Sequence, residues 1–265
     1  MKILKSILVL LCISQVSFAQ SSPNFSFLGL DEIKNKVNAD LKRFTERTGV
    51  VSNFRSLAPA SPLGIWGFNV GVELTSLSPN TFEILGQSLN LPSYFPRFHA
   101  AKGLTPNLDG EISLLVPRFI MNQNTTIPEE VKSLVVYGAG LKYTLLGEDE
   151  FPISLAARVT YNRLNLSFFK SDTYGADVSL SRAITLPIIP LRLTPYAGVG
   201  YMAINGAFKK KFIGMDAIDT HSIQDYRYFG GLSAKLFIFN VTGQIDTPAT
   251  LKKIESKSFK ISIEI

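Results

Sequence analysis

The sequence predicts an all-β chain: a closed antiparallel transmembrane β-barrel of about ten strands, with eight to twelve allowed, preceded by a short helix. Three observations carry this. Beyond residue 64 apolar and polar residues alternate at period two, the connections between alternating segments are short and long by turns, and the N-terminus has the form of an export signal.

The export signal comes first. Lys2 and Lys5 precede an apolar run from Ile7 to Ile13, which closes on Ser17-Phe18-Ala19. The run is too short to cross a membrane, and Ser17 and Ala19 place small residues three and one positions before a cut after Ala19. Residues 1–19 therefore read as a signal peptide. Cys12, the chain's one cysteine, lies inside it behind Leu11, a poor setting for lipid attachment. The mature chain then lacks thiol nucleophiles, redox chemistry and cysteine-held zinc, and with only His99 and His221 as histidines no metal site or cofactor is expected. "GAGLKY" and "AGVGY" read as strand glycines, not as a phosphate-binding loop. Losing Lys2 and Lys5 from 27 basic residues leaves 25 against 21 acidic. That mild, dispersed excess argues against a nucleic-acid partner and suits lipid phosphate.

Residues 20–63 form a separate unit. From Leu30 to Thr48, Ile33, Val37, Leu41 and Phe44 share one helical face with the charges opposite, Asp31 or Glu32 suits the first turn and Gly49 the end. "SNFRSLAPASPLG" follows as a connector without period. This helix is expected either inside the barrel as a plug or in the periplasm at the barrel mouth.

Residues 64–265 form the barrel. Its strands are expected at 65–77, 97–104, 110–120, 131–146, 151–165, 173–186, 191–205, 225–236, 239–246 and 257–265. The short connections are "TPNLD", "LGEDE", "PIIP" and "FIF"; the long ones cover 79–96, 121–130, 166–172, 206–224 and 247–256. No mature stretch approaches the roughly 18 consecutive apolar residues of a membrane helix. A membrane location thus requires a closed barrel, the other architecture that satisfies every backbone group in lipid. Trp66, Phe68, Phe119, Tyr137, Tyr143, Phe151, Tyr161, Tyr174, Tyr226, Tyr228 and Phe259 fall near strand ends, where interfacial aromatic girdles belong.

"ISLAARVTYNRL", residues 153–164, shows the two faces: Leu155, Val159 and Tyr161 toward lipid, Arg158, Thr160 and Asn162 toward the interior. The same alternation sends Asn69, Glu73, Lys142, Asp177, Lys235, Lys260 and Glu264 inward. In a narrow barrel such charges pair across the lumen, since an unpaired buried charge costs several kcal/mol. The competing reading is a selective lumen through which a solute passes.

The final strand, "KSFKISIEI", resembles the terminal strand of bacterial outer-membrane proteins, although Ile265 stands where most carry an aromatic residue. With the strand opening "IWGFNVGVE" and the hairpin "AKGLTPNLDGEISL", the mature chain resembles uncharacterised bacterial outer-membrane β-barrel proteins that begin with a short amphipathic helix. The resemblance implies the fold, an outer-membrane location, contact with outer-membrane lipid and lipopolysaccharide, and recognition of the C-terminal strand by the barrel-assembly machinery. It implies no activity. The longer fatty-acid transporter family also begins with a plug segment.

The expected role is non-catalytic: passage of small or hydrophobic solutes, or a structural part in the membrane. The alternative is a barrel-embedded hydrolase using His221. Asp219-Thr220-His221 resembles half of the omptin protease site, but the nearest acidic pair, Asp109 and Glu111, belongs to the opposite end of the barrel. A lipid hydrolase would start from His99 or from His221-Ser222, and adjacent strand residues point to opposite faces. Lys209, Lys210 and Lys211, beside Phe208 and Phe212, could contact lipopolysaccharide phosphates; a solvated loop base is the plainer reading.

Overall fold

The computed structural model describes residues 28–78, 81–84, 87–90, 94–115, 135–166, 169–187, 189–208, 220–250 and 255–265. Among them, helix α1 (Leu28–Ser52) precedes ten long strands. These are β1 (Phe68–Ser78), β2 (Phe95–Gly103), β3 (Leu108–Leu115), β4 (Val135–Leu146), β5 (Ser154–Asn165), β6 (Phe169–Ser181), β7 (Leu191–Phe208), β8 (His221–Leu236), β9 (Phe239–Pro248) and β10 (Glu255–Glu264). Each pairs antiparallel with its neighbour in sequence, and β10 returns to pair with β1, so the sheet closes into a ten-stranded barrel. Backbone hydrogen bonds of 2.8 and 3.0 Å between Phe68 and Ile265 complete the seam. A two-residue piece, Ile184–Thr185, pairs with the start of β7, and a ribbon of 81–84 against 87–90 stands between β1 and β2.

The alternation sorts the surfaces. On β1, Val70, Val72 and Leu74 point outward and are exposed, while Asn69, Glu73 and Thr75 are buried within. On β10, Phe259, Ile261 and Ile263 are outside, and Ser258, Lys260 and Ser262 inside. Apolar outside and polar inside is the reverse of a soluble barrel.

Near the long-connection end of β5 to β8 the sorting inverts. Leu164, Phe169, Met202, Ile204 and Ile223 point inward and are buried, whereas Lys170, Asn205, Ser222 and Gln224 point outward and are exposed. Arg163 and Asp172, paired across β5 and β6, meet on the outer face at 2.6 and 3.0 Å. Just below this collar Tyr161 faces Tyr174 and Tyr201 faces Tyr226 in register, with ring centroids 5.3 and 5.5 Å apart.

The collar corrects three expected boundaries. The connection placed at 166–172 is only 166–168, closed by Leu166 N–H donating to Phe169 O at 2.7 Å, and β6 starts at Phe169, not at 173. Likewise β8 starts at His221, not at 225, and β7 runs on to Phe208. On β6 and β8 the outward residues of the added strand, Lys170, Asp172, Ser222 and Gln224, are polar, which makes those segments read as loop.

Helix α1 also outruns its expected end at Thr48. Asn53 N–H still donates to Gly49 O at 2.9 Å. Gly49 is not a cap: a Cβ there would lie 2.5 Å from the Ile204 side chain, so glycine lets the helix approach β7. The buried positions Asp40, Phe44, Thr48 and Ser52, spaced by four, face the barrel.

Candidate functional site

The interior of the barrel is occupied by its own chain. Phe44 packs in one buried cluster with Leu115, Val136, Leu164, Leu166 and Phe169, and Val50 in another with Met202, Ile204 and Ile223, all at the long-connection end. The rings of Phe44 and Phe169 meet edge to face at 5.1 Å. From there the connector descends the lumen. On β5 the contacts step from Leu164 (Phe44) to Asn162 (Ser52) and Arg158 (Ser56). On β4 they step from Val136 (Phe44) to Gly140 (Phe54) and Thr144 (Ala60). On β3 they step from Leu115 (Phe44) to Glu111 (Ser56) and Asp109 (Leu63). Three strands thus report one direction: residues 44 to 63 run from the long-connection end to the short-turn end, where the chain turns through Gly64 (φ 76°) toward β1.

Pro59, Pro62 and the absence of a period deny this connector a helix of its own, so its backbone groups need partners from the wall. The wall supplies them. Arg97 donates to the carbonyls of Ser52 and Asn53 at 3.1 and 3.2 Å, and Asn162 also donates to Ser52 O. Arg55 donates to Val50 O. These donors cap carbonyls at the end of α1, two of them as cations at the negative end of the helix dipole. Arg158 donates to Ser56 O at 3.0 Å, and Thr144 to Ala60 O at 2.9 Å. Ala60 N–H donates to Ser181 Oγ at 3.1 Å, and Leu63 N–H to Asp109 at 3.2 Å. Lys142 donates to Pro59 O (3.2 Å) and Ser61 O (2.7 Å) and forms an ion pair with the Asp109 carboxylate (3.0 Å).

Buried charges pair along the lumen wall, between neighbouring or next-neighbouring strands, rather than across the lumen. Arg227 reaches Asp177 and Asp246, each at 2.8 Å. Arg158 approaches Asp177 at 3.8 Å, and Arg55 of the connector approaches Asp246 at 3.5 Å. Three guanidinium groups and two carboxylates therefore run in one buried chain from the connector through β9, β8 and β6 to β5.

At the short-turn end a cavity of about 420 Å³ remains, bounded by the turn residues Pro106, Asn107 and Gly147–Asp149. Asn69, Lys142, Lys235, Lys260 and Glu264 line it together with His99 and Glu111. Glu264 accepts from Lys235 at 3.0 Å and from Asn69 at 2.8 Å. The His99 ring stacks on Phe54 at 5.8 Å. Glu73 lies deeper, accepting from the Thr75 hydroxyl at 2.9 Å. Asn162, Arg158 and Asp177 meet the connector or the charge chain rather than the cavity. Among the described residues no three His, Cys, Asp or Glu side chains converge as for a metal.

His221 stands at the start of β8, opposite Gly206, and Ser222 projects from the other face of the strand. Asp219, Lys209, Lys210, Lys211 and Phe119 lie outside the described residues.

Several residues of the site escape the sequence reading. Arg55 sits in a segment without period, and only burial in the lumen gives it a partner. Asp109 reads as part of a turn. Arg97, Arg227 and Asp246 stand at inward positions of alternating strands, as does Glu111, which reads there only as half of an acidic pair with Asp109, and the alternation alone could have found them.

No protein-family model and no curated protein matches the chain. Solved structures do share its shape in part. Ail, the attachment invasion locus protein of Yersinia pestis, is 8% identical, with 75% of this chain and 97% of that one covered and a TM-score of 0.31. The β domain of the Bordetella autotransporter BrkA is 11% identical over 74% of this chain and 97% of its own, with a TM-score of 0.40. The outer-membrane protease OmpT of Escherichia coli is 9% identical over 75% and 95%, with a TM-score of 0.36. These are bacterial outer-membrane barrels with different activities, and none assigns one to this chain.

Proposed function

We propose that this is a non-catalytic bacterial outer-membrane β-barrel, exported on a cleaved signal peptide, whose lumen is closed by its own N-terminal segment. With the segment seated the barrel is a structural element of the membrane; with it displaced, the polar lumen passes small solutes. The observation that carries the reading is the double sorting of the strands, apolar where lipid would lie and polar where the connector is pinned. From Tyr226 to Leu236 on β8 there are ten steps of about 3.3 Å, which at a tilt of about 40° cover about 25 Å, the height of an outer-membrane apolar band. No described helix is long and apolar enough to cross a membrane. The lipid face and the seam at β10 suit contact with membrane lipid and assembly machinery.

Two measurements test this. In detergent the unboiled protein should migrate differently from the boiled protein on a gel, and identical migration counts against a barrel. His221→Ala should leave solute passage and membrane assembly unchanged; loss of a hydrolytic activity in that variant alone would favour the hydrolase reading.

A further inference from the structure

We infer that the chain threads the barrel from the outer side, so that the first turns of α1, from Leu28 to Asn38, stand on the cell-surface side. This rests on the outer-membrane reading above, which assigns the long connections to the outside and the short turns to the periplasm. The threading itself rests on independent geometry.

The polarity of the lumen segment follows from the wall contacts. Rising residue numbers in the segment meet falling numbers on β3 and β5 and rising numbers on β4, as one chain passing antiparallel strands must. β6 agrees: Phe44 meets Phe169 at its beginning and Ala60 meets Ser181 at its end. A helix hanging into the periplasm would put Phe44 beside the short turns and leave the inward apolar ring of Leu115, Val136, Leu164 and Phe169 facing a polar lumen. Instead that ring receives the helix. Gly206, in the collar, fits against Thr45, because a Cβ at 206 would fall 2.4 Å from Thr45 Cγ2. α1 also touches the 81–84 strand of the first long connection, and Ala39, Lys42 and Arg43 are exposed. The helix therefore leaves the lumen through the long-connection mouth, while the other end of the segment is tied to β1 at the opposite rim. The protein thereby presents a stretch of its N-terminal chain to molecules outside the cell.

The absence of cysteine from the mature chain makes this directly testable. Ala39→Cys, Thr220→Cys and Thr105→Cys are made singly in the full chain, at three exposed positions. Each is expressed in Gram-negative cells and treated with a membrane-impermeant maleimide before and after permeabilisation. Thr220, at the long-connection end, and Thr105, in the β2–β3 turn, report the membrane orientation alone. The expected result is labelling of Ala39→Cys on intact cells to the level of Thr220→Cys, with Thr105→Cys reached only after permeabilisation. Labelling of Ala39→Cys that follows Thr105→Cys overturns the inference. If Thr220→Cys and Thr105→Cys label alike, the membrane reading fails and surface delivery fails with it. The double variant Thr45→Cys with Gly206→Cys then judges the threading separately, since the two side chains fall within disulfide reach. An oxidised species of altered mobility on a non-reducing gel, reversed by reductant, supports threading; no cross-link in a folded barrel overturns it.

Discussion

The two ends of the lumen are built on opposite principles. At the long-connection end, β5 to β8 rise into a collar where Leu164, Phe169, Ile204 and Ile223 face inward and Lys170, Asn205, Ser222 and Gln224 face outward, and α1 docks there by burying Phe44 and Val50. In the lower lumen the wall is polar, and the connector is held by hydrogen bonds from Arg97, Lys142, Thr144, Arg158 and Asn162 to its backbone. The collar is sorted as a soluble domain is, and the lower lumen is a polar wall filled with peptide. Apolar docking is non-directional and tolerates sliding, whereas the lower contacts fix register one carbonyl at a time. The difference suggests how the segment would move: the collar sets how tightly the helix is seated, and the lower wall sets where it returns.

Substitutions at the two ends should separate these roles. The largest effect is expected at the charge chain. Arg227→Met leaves Asp177 and Asp246 without their closest cation and should cost about 3–5 kcal/mol, read as a lowered urea midpoint of the folded barrel. A loss under about 1 kcal/mol would mean that the chain is not a unit. Phe44→Ala should weaken docking by about 3 kcal/mol. Hydrogen exchange should show this as faster exchange of the amides from Asp40 to Ser52 with the strands unchanged; uniform protection would show that the apolar ring does not hold the helix. Ser56→Ala removes the 2.7 Å hydrogen bond to Glu111 and should cost about 2 kcal/mol. Its effect on exchange should be confined to the connector, and spread into α1 would contradict the division between the ends. The smallest change lies outside the lumen. Phe237 holds a positive φ of 55° in the two-residue β8–β9 turn, so Phe237→Gly should stabilise the fold by about 1 kcal/mol, read as a raised urea midpoint.

The ten strands were legible because lipid and lumen impose period two along most of each strand. The boundaries failed where that rule reverses. At Phe169–Asp172 and His221–Gln224 the outward side chains turn polar while Phe169 and Ile223 turn inward, and the segment imitates a loop. The end of α1 failed for a related reason: Gly49 carries the signature of a terminus, and only the nearness of Ile204 shows that it serves packing. Alternation also assigned Arg158 and Asp177 to the interior without joining them. Their 3.8 Å approach, and their link through Arg227 and Asp246 to Arg55, depend on which strands neighbour one another and on the connector's path. No local pattern encodes that path.

The central claim is that residues of the N-terminal segment close the barrel. Single-channel conductance in a planar bilayer tests it most directly, comparing the refolded mature protein with the same protein lacking residues 21–61, both first shown to keep the gel shift of a folded barrel. The account predicts silence or brief small steps from the intact chain and sustained, larger steps after the deletion. Steps of equal size from the two proteins would contradict it.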